Sequence, residues 1–277
     1  MTKHNPLSGE EVVAYRPNPE IIRYVGARRS DGRPVRVLDW GCGRGRLVAY
    51  LVKCGIDAYG VDVDPETIGN GNAYFAAEGG GTGRLMLLGA DGRAPFPDGH
   101  FDVVVSDNVL EHVPDLDGVM SEISRITRPG GWGFHLFPAR FSVVEGHLAM
   151  PLVHWLPKGA MRRLAIRAFT AAGVEPHWQE LEGLGTGRKA EVYFAYSRDK
   201  TFYRAPSAIL RTCSANGLRA RLVGLEHPRL KGIASAPFMR GGPLRAGAEA
   251  LVANLKAVEL LVAKPGGPEQ AVAETGA

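Results

Sequence analysis

Along the first half of the chain, short apolar runs alternate with stretches of helical periodicity. The runs at 35–39, 58–62, 85–88, 101–106 and 132–137 are brief and rich in valine, leucine and aromatics. Several end in an acid or a glycine, as buried strands of a parallel sheet do where they reach a ligand. Asn18-Pro19-Glu20 supplies a cap, a first-turn proline and a first-turn acid for a helix through about residue 29, which Asp31-Gly32 breaks. Residues 47–53 continue as a helix after the first run, with Gly55 as its left-handed stop. Asp64-Pro65-Glu66 opens the next helix, which Asn70-Gly71-Asn72 and the glycines of 79–83 should leave short or frayed. Asp115 caps a third, in which Leu116, Val119, Met120, Ile123 and Ile126 recur at helical spacing.

The second half keeps this rhythm less closely. Residues 1–16 at the other end are polar without a period and read as a loose lead-in. From 138 to 204 the strand-helix alternation lapses. Within it, 158–170 mixes Lys158, Arg162, Arg163 and Arg167 with Met161, Leu164, Ala165, Ile166, Ala168 and Phe169, an amphipathic helix stopped by Gly173. The plain reading is a covering helix with a solvated basic face; the alternative is peripheral contact with an anionic membrane. Residues 207–216 form a helix closed by Gly217, and 218–223 and 257–264 are the last two strands. Residues 226–243, rich in Pro, Gly and Arg, read as a mobile loop, and the tail after Pro265 as disordered.

Composition narrows the class. The chain has 277 residues, 45% of them hydrophobic, enough for one large domain or two small ones. Cys42, Cys54 and Cys213 form no C-x-x-C pair and suit reduced thiols in a cytoplasmic protein. No charged-then-apolar leader opens the chain, and no apolar run approaches the roughly 20 residues of a membrane span. A net charge of +4 with scattered arginines permits nucleic acid without indicating it.

The candidate chemistry starts at Val37-Leu38-Asp39-Trp40-Gly41-Cys42-Gly43-Arg44-Gly45, a strand that stops at an acid and turns through three alternating glycines into a helix. The spacing G-x-G-x-G, with Asp39 at the strand end, is not the dinucleotide pattern. An acid there repels a pyrophosphate but suits an ammonium or sulfonium, which points to S-adenosylmethionine (SAM). Asp62 falls 17 residues after Gly45, near the separation of roughly 20 at which a second-strand acid meets ribose hydroxyls.

V-L-D-W-G-C-G-R-G resembles the first motif of the class I, seven-stranded SAM-dependent methyltransferases of the type 11 kind. Residues 95–105 resemble their P-F-x-D-x-x-F-D-x-V signature, Leu110-Glu111-His112-Val113 their L-E-H-V, and Arg128-Pro129-Gly130-Gly131 their L-R-P-G-G turn with Thr127 in place of leucine. The resemblance spans about residues 35–137. It implies a doubly wound, mostly parallel α/β sheet of order 3-2-1-4-5-7-6, the last strand antiparallel. It further implies a lead-in and helix over 1–34, a SAM-binding core over 35–137, a substrate lid inserted after strand 5 over 138–204, the rest of the domain over 205–264, and the tail 265–277.

By the same resemblance SAM would contact Asp39, Trp40, Gly41, Cys42 and Gly43 on the first loop, and Asp62 and Val63 after the second strand. Asp91 and Gly92 would meet the adenine, although Asp91 stands four residues before Pro95-Phe96 where the family usually has five. Asp107 and Asn108 would face the methionine part. No metal is called for, because the methyl group is already activated on sulfur. A hydroxyl acceptor must lose a proton, and His147, with His112 behind it, is the candidate base. Glu145 is the only acid from Pro138 through Ala172, which favours a hydroxyl on a small molecule, glycan or lipid-linked acceptor over an amine. The competing readings are a non-catalytic SAM-binding partner subunit and a nucleic-acid methyltransferase. Ser106-Asp107-Asn108-Val109 does not match the N-P-P-Y-like tetrad of the latter.

Overall fold

The computed structural model describes residues 7–26, 34–79, 83–227, 230, 232, 235 and 241–266. Seven strands form one sheet: β1 (Arg36–Trp40), β2 (Asp57–Asp62), β3 (Leu85–Leu87), β4 (Phe101–Asp107), β5 (Thr127–Pro138), β6 (Arg219–Leu222) and β7 (Ala257–Ala263). Their order is β3-β2-β1-β4-β5-β7-β6, the order implied by the resemblance. β1 runs parallel to β2 and β4, with Asp39 opposite Gly60 on one side and Val105 on the other. β7 lies antiparallel to both β5 and β6.

Successive strand residues face opposite sides, and each side has its own core. Val37, Val103, Val105 and Phe134 pack with Leu47, Val48 and Leu51 of α3 (Arg46–Lys53) and with Ile21 and Val25 of α2 (Pro19–Gly26). Leu38, Trp40 and Val104 pack on the other face with Met120, Ile123 and Ile126 of α5 (Leu116–Ile126) and Ile209 and Cys213 of α8 (Pro206–Ala215). A third core, built on Leu148, Met150, Val153, Ile166, Tyr193 and Phe194, belongs to the insertion between β5 and α8.

Five elements depart from the sequence reading. The lead-in contains a helix, α1 (Gly9–Ala14), started by a capping box in which Ser8 and Glu11 bond each other's backbone amides. α4 (Pro65–Ala77) runs unbroken through Asn70-Gly71-Asn72. Gly71 is needed for close approach, since a Cβ there would lie 2.3 Å from Leu85 Cδ1 and 2.6 Å from the Arg44 carbonyl oxygen. Asn72 exchanges hydrogen bonds with the Leu85 backbone, its Nδ2 donating to the carbonyl at 2.9 Å. Residues that weaken an isolated helix here fasten one to the sheet edge.

The insertion carries α6 (Ala160–Ala171) and, unpredicted, α7 (Thr186–Asp199) packed against it. The basic face expected on α6 is not wholly solvated. Arg162 is buried and donates to the carbonyls of His154, Leu156 and Ser197, while Met161 and Leu164 face outward. An unpredicted α9 (Gly242–Leu255) precedes β7, and much of the expected loop at 226–243 lies outside the described residues, as does the tail from 267. Among the described residues, no helix is long and apolar enough to cross a membrane.

Candidate active site

The carboxyl ends of β1, β2 and β4 bring three acids together. Asp39, at the end of β1, is 6% exposed, and burial together with the charges of Asp107 and Asp62 pushes its carboxyl up to about 8. Asp107, closing β4, is pushed to about 6 by burial and by Glu111. A buried, anion-rich site of this kind holds a proton until a cation replaces it.

The loop after β1 is shaped by glycine. Gly41, Gly43 and Gly45 all take positive φ, and a Cβ on Gly41 would stand 2.5 Å from Val109 Cγ2. A Cβ on Gly43 would meet nothing nearer than 4.0 Å, so its backbone borders open space. The Gly43 amide donates to Asp62 Oδ2 at 2.9 Å, and Asp62 Oδ1 accepts from the Asp64 amide at 3.1 Å. Asp62 therefore holds the loop against the second strand while keeping lone pairs for further donors. The Trp40 side chain is buried in a core, and that of Cys42 lies against Gly60. Either residue can meet a ligand there only through its backbone.

Val63 is exposed beyond β2, and Asp91 and Gly92 lie exposed in the turn after β3, where Asp91 Oδ1 accepts from the Arg93 amide. Asn108 sits at φ 54, a left-handed conformation that asparagine tolerates better than most residues, and donates to Asp107 Oδ1 at 2.7 Å.

One neighbour of this site was missed in the sequence. Tyr15, just after α1, is half-buried, and its hydroxyl is raised to about 12 by burial and by Asp39 and Asp107. Its ring stacks under the Arg46 guanidinium, and Glu11 ties α1 to the glycine loop through Arg44 at 2.8 Å. The signal available was the Ser8-x-x-Glu11 capping box, which marks an ordered helix where a loose lead-in was expected.

The two candidate histidines, 35 residues apart in sequence, meet in space. His112 ends a short turn of 3-10 helix after β4 (Leu110–His112), and its ring centre lies 4.7 Å from that of His147 in the insertion. Between them is Glu111, 1% exposed, whose Oε1 stands 3.4 Å from His147 Nε2 and 3.6 Å from His112 Nε2. Burial opposes the charged form of His147, but Glu111 and Glu145 outweigh it and raise its affinity for a proton. Glu145 also fixes the backbone of that loop, accepting from the amides of His147 at 2.8 Å and Leu148 at 2.5 Å, and from the Tyr203 hydroxyl. Tyr196 of α7 closes the cluster, its ring 5.9 Å from His147 and 6.2 Å from His112. Glu111 and Tyr196 carried no assigned role in the sequence, since only the fold brings them to the histidines.

A mostly parallel sheet with a glycine loop and acids at its carboxyl edge defines a Rossmann-like domain that binds a nucleotide-type cofactor. A methyltransferase-domain family model matches residues 38–134. The ubiquinone biosynthesis O-methyltransferase of Burkholderia vietnamiensis is 31% identical over 176 residues, which are 59% of this chain and 73% of that protein. Its counterpart in Methylococcus capsulatus is 35% identical over 127 residues, 46% of this chain and 52% of that one, so this chain spans about half that relative's length. The structure of an S-adenosylmethionine-dependent methyltransferase from Mesorhizobium loti shares the fold, with a TM-score of 0.50 at 14% identity over 87% of this chain and 95% of that one. With these motifs and this sheet, the chain belongs to the class I SAM-dependent methyltransferase family.

Proposed function

We propose that the chain moves the SAM methyl group to a hydroxyl of a small-molecule, glycan or lipid-linked acceptor. SAM would lie across the carboxyl edge, its methionine part toward Asp39, Asp107 and Asn108, its ribose at Asp62 and Val63, its adenine toward Asp91 and Gly92. The backbone of residues 40–43 would line its approach. Aligning an oxygen behind an activated methyl group contributes about 7 to 11 kcal/mol through positioning alone. The carbon–sulfur bond then breaks as the carbon–oxygen bond forms, and the hydroxyl proton passes to His147.

The observation that carries this reading is the meeting of His147 and His112 around Glu111, directly after the strand end that carries Asp107. The O-methyltransferase names of the Burkholderia and Methylococcus relatives support a hydroxyl acceptor. The insertion 138–204 would act as the cover of the acceptor site. It is tied to the sheet by the Phe202 amide, which donates to the Glu111 carbonyl at 2.6 Å, and by Arg204, whose guanidinium donates to the carbonyls of Leu110, Val113 and Pro114.

The test is methyl transfer from labelled SAM to a library of hydroxylated metabolites, repeated with His147→Ala. Retained SAM binding with lost transfer is the expected result. Transfer confined to amines or nucleic acid would refute the acceptor class, and unchanged transfer in the variant would remove His147 from the reaction.

A further inference from the structure

We propose that Glu111, His112 and His147 form a binding site for a divalent transition-metal cation, Zn2+ in the first instance, joining the insertion to the sheet. The three donor atoms lie within 4.8 Å of one another. Donors at about 2.0 to 2.1 Å from a shared tetrahedral cation stand about 3.3 to 3.4 Å apart. The Glu111 Oε1 separations of 3.4 Å from His147 and 3.6 Å from His112 are already close to that, and a movement of at most about 1.5 Å brings the two histidine nitrogens to it. Two imidazoles and one carboxylate are a donor set suited to zinc and its first-row neighbours, and poorly suited to magnesium or calcium.

The case rests on what the cluster lacks without a cation. Both Glu111 carboxylate oxygens are buried and make no hydrogen bond, and neither does His147 Nε2. A buried carboxylate left so is costly. His112 sharpens the point. Its Nδ1 lies 2.5 Å from the Lys200 carbonyl oxygen, which can only accept, so Nδ1 is the donor there and Nε2 is the nitrogen turned toward Glu111. Nε2 stands 3.6 Å from the carboxylate, and a cation between them would be held by both. A histidine held through its other nitrogen by a backbone carbonyl is the usual second-layer support of a metal ligand.

Cation binding itself follows from these three side chains; its role beside the acceptor rests on the proposed function. With the cation in place His147 is a ligand, and the base role proposed above belongs to the protein without a cation. An acceptor hydroxyl entering a remaining coordination position gives its proton to solvent, and the resulting oxyanion attacks the methyl carbon as the carbon–sulfur bond breaks.

The experiment uses the full chain stripped with a chelator and titrated with Zn2+ by calorimetry and with Co2+ by visible absorption. One cation per chain, with Co2+ bands typical of low coordination, is expected. Glu111→Gln and His147→Ala should each weaken uptake roughly tenfold or more while SAM binding persists, and Zn2+ should raise the melting temperature of the parent only. Affinities unchanged by both substitutions overturn the site. So does methyl transfer to hydroxyls by protein that takes up no cation, which leaves the acceptor reading standing. One-to-one uptake by a protein that methylates only amines supports the site and overturns the acceptor reading instead.

Discussion

If SAM sits at the carboxyl of Asp39 as proposed, its binding should be a proton-coupled event. That carboxyl is enclosed by Asp62 from β2, Asp107 from β4 and Tyr15 from the segment after α1, and its ordinary value of 3.8 rises to about 8 through burial first and the two carboxylates second. At pH 7 such a group is about nine-tenths protonated. A ligand that places an ammonium or sulfonium against it favours the ionised form, so binding should expel about 0.9 of a proton at pH 7 and only about 0.1 at pH 9. The same linkage makes the apparent affinity rise about fifty-fold from pH 6 to pH 8, roughly 2.3 kcal/mol, and level off above that. The direction follows because the free site must give up its proton to bind, and below pH 8 that proton is present. Calorimetry of SAM binding in buffers of differing ionisation enthalpy counts the protons directly. Asp39→Asn, which cannot ionise, should bind more weakly and release almost none. A wild-type count near zero at pH 7, or the same count in the variant, refutes the argument. S-adenosylhomocysteine keeps the amino group, so comparing the two ligands separates the sulfonium's share from that of the ammonium.

Three further outcomes test the packing that holds the site. Gly71→Ala should destabilise the fold by about 1 to 3 kcal/mol in denaturant melts, because the added methyl meets Leu85 and the Arg44 carbonyl; a gain of about 1 kcal/mol, the helix-propensity expectation, would show that the close approach relaxes. Arg162→Met should cost about 2 kcal/mol or more, since the carbonyls of His154 and Leu156 lose the guanidinium and that of Ser197 keeps only Thr201 Oγ1 beside it; a loss under about 1 kcal/mol would mean water replaces it. His135 is fully buried with Nδ1 2.9 Å from Ser106 Oγ, and burial depresses it to about 4. The unfolded chain takes up that proton from about pH 6.5 downward and the folded chain only near 4, so stability should fall by about 3 kcal/mol across that window. His135→Gln should flatten the slope; an identical slope in the variant would assign it elsewhere.

The sheet was legible because β1, β2 and β4 are announced locally. Each short buried run is followed within about ten residues by a polar stop and a helix start, and the resemblance then supplied the order of strands. What escaped the reading depends on contacts distant in sequence. Asn70-Gly71-Asn72 looks like a helix breaker until Leu85 and Arg44 are placed beside it. Arg162 looks like a solvated charge until three carbonyls converge on it. In both cases local propensity pointed correctly to what the segment would do alone, and tertiary contact reversed the outcome.

The two halves of the candidate site differ for the same reason. Acids and glycines at strand ends stay near their motif, so Asp39, Gly41, Gly43 and Asp62 could be assembled from spacing along the chain. The acceptor half joins Glu111 and His112 after β4 to His147, whose loop is bonded to Glu145, itself bonded by Tyr203. Histidine spacing carries no trace of that meeting, and L-E-H-V shows a glutamate beside a histidine without showing that the carboxylate is buried and unpartnered. That burial matters most for function. An exposed Glu111 would be screened and indifferent to its neighbours, whereas a buried one strengthens the hold of His147 on a proton taken from the acceptor, or favours a cation beside it. Either occupant leaves a polarising group beside the strand end proposed to face the SAM methyl. The proposed transfer would then turn on which of the two the cluster holds when the acceptor arrives.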